Sequence, residues 1–73
     1  MVSKNVRFAR LHLTSRERDV LVRLLRGENE RKVASGMRLM ESTVHTHVRT
    51  IYRKYGVHSR SKLLAKFIPS LNF

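Results

Sequence analysis

Hydrophobic residues recur along this chain at helical rather than alternating spacing. Val20, Leu21, Leu24 and Leu25 stand at i, i+1, i+4 and i+5, which is one stripe of a helix. Just upstream, Thr14 and Glu17 have the spacing of a capping box: the Thr14 hydroxyl can accept from the Glu17 amide while the Glu17 carboxylate reaches back to the Thr14 amide. Gly27 supplies a residue that tolerates the left-handed conformation closing a helix. Together these signals predict a first helix over about 15–26.

The same reading carries on downstream. Asn29 is placed to cap a short helix over 30–37, in which Val33, Ala34 and Met37 share a face. After a break at Arg38 to Met40, the residues Val44, Val48, Ile51 and Tyr55 hold one face over three turns, predicting a helix over 41–55 that Gly56 ends. Ser59 can cap a fourth helix over 59–68, whose apolar positions are Leu63, Leu64, Phe67 and Ile68 and which Pro69 cannot continue. No stretch reads more strongly as a strand, so the fold class is all-α with four helices. Met1 to His12 has no sustained period and carries Lys4, Arg7 and Arg10. The expected organisation is a basic N-terminal arm over 1–13, one domain over 14–69 and a C-terminal tail over 70–73.

The third helix has two distinct faces. With Val44 set to zero at 100° per residue, Val48, Ile51 and Tyr55 lie within roughly 40°, so they point inward together. Ser42, Thr46, Arg49 and Arg53 lie roughly 140° to 200° away and His45 roughly 100° away, an acid-free row of polar and cationic groups. Such a row is usually a solvated face. Charge changes its weight: the net charge is +11, and all five acids fall between Glu17 and Glu41, so both ends of the chain are purely basic. Crowded positive charge calls for a polyanion. The two candidates are nucleic acid and an anionic membrane surface. The apolar residues are divided among several short helices rather than gathered on one strong stripe, which argues against the membrane.

A chain of 73 residues makes one small domain with a thin margin of stability, and without cysteine it has neither disulfides nor thiolate-bound zinc to add. A second protein chain is the remaining staple. No apolar run is long enough for a membrane span and the first ten residues lack the apolar core of a signal peptide, so the expected location is cytoplasmic. His45 and His47 diverge on their helix by roughly 200°, which keeps one ion from taking both, and no metal or other cofactor is expected. Thr14, Ser15 and Glu17 fit a helix cap better than a nucleophile and base, and no glycine-rich phosphate loop is present, so no enzyme activity is expected.

A short helix, a break of three or four residues and a longer helix form the arrangement in which the second helix enters the DNA major groove. In that geometry Arg49 can pair with guanine, Thr46 can meet a thymine methyl or a phosphate, and Arg31, Lys32, Lys54 and Arg60 are candidates for phosphate contacts.

The segments LTSRERDVLVRLLRG, VASGM and STVHTHVRTIYRKYGVHSRSKLLA resemble the LuxR/NarL type of DNA-binding domain, also called GerE-like. The resemblance runs from Leu13 to about Ile68. It implies a four-helix helix-turn-helix domain that binds inverted half-sites on double-stranded DNA as a homodimer and regulates transcription, with RNA polymerase as a further partner and the nucleoid as its place. By position it implies base contacts from His45, Thr46 and Arg49, backbone contacts from Thr43, Lys54 and Arg60, and a dimer interface on the fourth helix at Leu63, Leu64, Phe67 and Ile68. Members of this type normally carry a receiver or ligand-binding domain ahead of the module, so the chain is either a stand-alone regulator, which Met1 mildly favours, or a fragment of one. The alternative function is an interaction protein of the same fold that heterodimerises with a larger relative.

Four positions depart from the pattern. Arg38 replaces a turn glycine, which implies either another backbone conformation or a positive φ. Met40 replaces a capping serine, so Glu41 or Ser42 is expected to take over the cap. Lys32 replaces a glutamate, losing an internal ion pair. Gly36 should weaken the second helix by roughly 0.5–1 kcal/mol relative to alanine.

Overall fold

The computed structural model describes residues 12–67. Among the described residues, four α-helices follow one another: α1 (Ser15–Leu25), α2 (Glu30–Met37), α3 (Glu41–Tyr55) and α4 (Arg60–Phe67). The all-α expectation holds, with boundaries within a residue of those read from the sequence. The first helix stops at Leu25, because Arg26 already lies in the turn at ψ −3°. Ser59 stands outside α4 as its cap rather than as its first residue: its hydroxyl accepts from the Lys62 amide at 3.2 Å. Most of the N-terminal arm, together with Ile68, Pro69 and the tail, lies outside the described residues.

Local chemistry explains the starts and stops. The capping box at α1 forms in both directions, each bond 3.0 Å long. The Asn29 side chain accepts from the Lys32 amide at 2.8 Å and opens α2. Three helices close with the same motif, a left-handed residue bracketed by two reversed hydrogen bonds. After α1, Gly27 (φ 92°) bonds back to Leu24 and Glu28 to Arg23. After α3, Gly56 (φ 68°) bonds to Arg53 and Val57 to Tyr52. After α2 the left-handed position falls on Arg38, at φ 58° and ψ 44°, with its amide on Ser35 and that of Leu39 on Ala34. Of the two conformations open to Arg38, the positive φ is the one adopted, because the motif requires it whatever the side chain.

The helices enclose one core: Val20, Leu21 and Leu24 of α1, Val33 and Ala34 of α2, Val44, Val48 and Ile51 of α3, and Leu63 of α4, with Leu13 and Val57 at its edges. Helix α3 runs through the middle and packs against the other three. Each fully buried aliphatic side chain contributes roughly 1.5–3 kcal/mol of transfer free energy, so the core rather than helix propensity holds α3 in place. The Arg23 guanidinium lies across Gly36 on the way to Glu28, 3.2 Å away, so a Cβ at position 36 would displace the far end of that flexible side chain.

Candidate nucleic-acid interface

Burial on α3 divides as the helical wheel requires. Val44 and Ile51 are fully buried and Val48 nearly so, while Ser42, His45, Thr46, Arg49 and Arg53 are exposed. Anchoring on one side makes the other side a rigid display. On it, the exposed Thr46 hydroxyl donates to the Ser42 carbonyl at 3.1 Å, which leaves its oxygen lone pairs able to accept. The Arg53 guanidinium donates to Thr50 at 3.3 Å. Arg49 forms no hydrogen bond or ion pair among the described residues.

Helix α2 meets the start of α3 through two polar contacts that residue spacing alone did not reveal. Arg31 lies 3.5 Å from Glu41 in an exposed ion pair, and His45 Nδ1 lies 3.1 Å from Glu30 Oε1 and 3.4 Å from Oε2. No side-chain cap forms at Met40, which is 70% exposed, and neither Glu41 nor Ser42 moves into that role: α3 begins at Glu41 with its first amides uncapped. This corrects the expected shift of the cap. The methionine thioether has no oxygen to accept from the helix amides, but the core contacts of Val44 and Val48 hold the first turn without a cap.

The residues expected at the DNA backbone fall into two groups. Lys32 is exposed and Thr43 half-buried at the front of the motif, beside Arg31. Lys54 and Arg60 are engaged inside the protein. The Lys54 ammonium donates to Glu17 Oε1 at 2.8 Å and to the His12 carbonyl at 3.2 Å, tying α3 to the capping box of α1. The hydrogen bond from Lys54 holds the Glu17 carboxyl below its ordinary range against the opposing effect of burial, and the Thr14 amide helps. Arg60 donates to the Leu24 carbonyl at 2.7 Å, fastening α4 to the end of α1.

Of the α4 residues expected at a dimer interface, Leu63 has no exposed surface because it closes the chain's own core. Leu64 and Phe67 are partly exposed, and Phe67 packs edge-on against Tyr55 with ring centroids 5.2 Å apart. Ile68 lies outside the described residues.

Behind the exposed row, an open depression is lined by His45, Arg49, Tyr52 and Arg53 of α3 and by His58 of the following loop. Burial pushes the Tyr52 phenol up; Arg60 acts against this and the charge of Glu30 reinforces it.

A short helix, a tight left-handed turn and a longer helix with one anchored and one displayed face define a helix-turn-helix module. The match to the family described as "Bacterial regulatory proteins, luxR family" covers residues 11–67, and the chain belongs to that family. It is 41% identical over 58 residues to a probable HTH-type transcriptional regulator, GfsR, of Streptomyces halstedii, covering 80% of this chain and 24% of that protein. To the nitrate/nitrite response regulator NarP of Escherichia coli it is 44% identical over 48 residues, 66% of this chain and 22% of the relative. The spore germination protein GerE of Bacillus subtilis is 32% identical over 56 residues, 77% of this chain and 76% of GerE. The chain thus spans about a quarter of the length of the first two relatives and about three quarters of the third. No solved structure matches. Among the described residues, no helix is long and apolar enough to cross a membrane.

Proposed function

We propose that this chain is a sequence-specific DNA-binding module of a transcriptional regulator, with α3 in the major groove and α2 crossing the phosphate backbone. The observation that carries this reading is the acid-free exposed row Ser42, Thr46, Arg49 and Arg53 on a helix whose other face is locked by Val44, Val48 and Ile51. Arg49, with an unpartnered fork of donors, pairs with guanine; Thr46 meets a thymine methyl, and His45 a neighbouring base. Arg31, Lys32 and Thr43 position the module on phosphates. Lys54 and Arg60 each retain N–H groups beyond their internal bonds, and a phosphate is their second partner.

Two copies bind an inverted repeat, with Leu64 and Phe67 of α4 the available apolar surface for pairing. Selection of duplexes from a random pool, followed by footprinting and a salt titration, tests the proposal. Enrichment of an inverted repeat, steep weakening with salt, and relaxed preference at one half-site position in Arg49→Ala, with a loss of about 1–3 kcal/mol, are expected. No enrichment of any sequence would overturn it.

A further inference from the structure

Of the exposed row's neighbours, His45 is the one whose chemistry is set from another helix. Its Nδ1 lies within hydrogen-bond distance of both Glu30 carboxylate oxygens, and a carboxylate can only accept. Whatever the charge of the ring, Nδ1 must therefore carry a proton there. In the neutral ring this leaves Nε2 as a bare acceptor.

We propose that Glu30 is a positioning residue for base readout: it holds His45 in the tautomer whose Nε2 accepts a hydrogen bond, so that His45 selects a base offering an exocyclic amine in the major groove. Adenine N6 and cytosine N4 present such donors, whereas guanine N7 and O6 and thymine O4 present acceptors. Without the carboxylate, the ring is free to place its proton on either nitrogen and to turn, and it then meets donors and acceptors alike.

Three features of the site support this role. His45 is exposed, lining the open depression with Arg49 and Arg53, so its second nitrogen can be reached. Glu30 stands in the first turn of α2, where a negative side chain complements the helix dipole. Its charge is also felt at Tyr52, on the same side of α3. The other charged and titratable groups lining that depression are Arg49, Tyr52 and Arg53 of α3 and His58 of the loop, and Arg31 pairs with Glu41 where α2 meets α3. Of the acids, Glu41 already faces Arg31, which leaves Glu30 to His45. A negative side chain near the expected path of the phosphates is otherwise a liability for binding, and the orienting role gives it a use.

This inference rests on the DNA-binding reading above. The test uses the duplex that the unaltered protein selects, with each position replaced in turn by the other three base pairs, and competition binding at one fixed pH. The unaltered protein is expected to prefer adenine or cytosine at one position by roughly three- to tenfold, the worth of one hydrogen bond. Glu30→Ala and His45→Ala should flatten that preference to within about twofold at the same position and nowhere else. Glu30→Gln, whose amide can either accept from Nδ1 or donate to it and so no longer fixes the tautomer, should flatten it as well, and thermal melts should show all three variants folded. Unchanged base preference in Glu30→Ala or in Glu30→Gln, or equal changes at every position, would overturn the role of Glu30. Failure of the unaltered protein to select any sequence would instead overturn the DNA-binding reading itself.

Discussion

Removing the Glu17 carboxylate should destabilise the domain more than any other surface-adjacent change, because one group serves two purposes. Its Oε1 accepts from the Thr14 amide at 3.0 Å and from the Lys54 ammonium at 2.8 Å, and the side chain is only 9% exposed. Loss of a capping interaction costs about 1 kcal/mol, and loss of a hydrogen bond to a charged group about 1.5–3 kcal/mol. Glu17→Ala is thus expected to cost about 2–4 kcal/mol, a large fraction of the roughly 4–11 kcal/mol typical of a domain of this length. Thermal unfolding followed by circular dichroism should show a midpoint lowered by at least about 8 °C.

The pH dependence has a definite sign. A carboxyl held below its ordinary range in the folded state contributes stability that is complete above the unfolded value. That contribution is lost as the pH falls through the folded value. Acid should therefore destabilise the unaltered protein more steeply below the ordinary glutamate range than it destabilises Glu17→Gln. A double-mutant cycle of Glu17→Gln with Lys54→Met isolates the pair. Coupling smaller than about 0.3 kcal/mol, or parallel acid profiles for the two proteins, would refute the reasoning.

Two further outcomes follow from single residues. Arg38→Gly should raise stability by about 0.5–1 kcal/mol, because glycine takes the left-handed conformation without the steric cost, partly offset by its freer unfolded chain; urea denaturation measures this, and a loss would show that the Arg38 side chain contributes contacts outweighing its strain. The Tyr55 hydroxyl is buried and has no hydrogen-bond partner among the described residues, and burial pushes its pKa up to about 12, so Tyr55→Phe should be neutral or stabilising by up to about 1 kcal/mol. The same measurement in alkali carries a sign check, since the unfolded phenol ionises first: stability should fall as the pH rises from the ordinary tyrosine value toward about 12 in the unaltered protein, and less so in Tyr55→Phe.

The features that could be read in advance are those whose partners are close in sequence. The capping box joins residues three apart, the helix-closing motifs span at most five, and the stripes on α1 and α3 repeat every three or four. Backbone stereochemistry alone brings such residues together, so the order of the helices, their limits and the outward face of α3 were all determined by the amino-acid sequence. The position of Arg38 was legible in the same way, although which of two conformations it adopted was not.

What the chain folding on itself decided is of a different kind. Glu30 reaches His45 across 15 residues, Arg60 reaches Leu24 across 36, and Lys54 reaches Glu17 across 37. No periodicity encodes these contacts, because they depend on the angles at which packed helices cross. The fourth helix shows the limit most plainly. Leu63 and Leu64 are chemically identical neighbours about 100° apart on the helix, and each could have faced the core. Only the docking of α4 against α3 turned Leu63 inward and left Leu64 partly exposed, and with it the surface that a second copy could use.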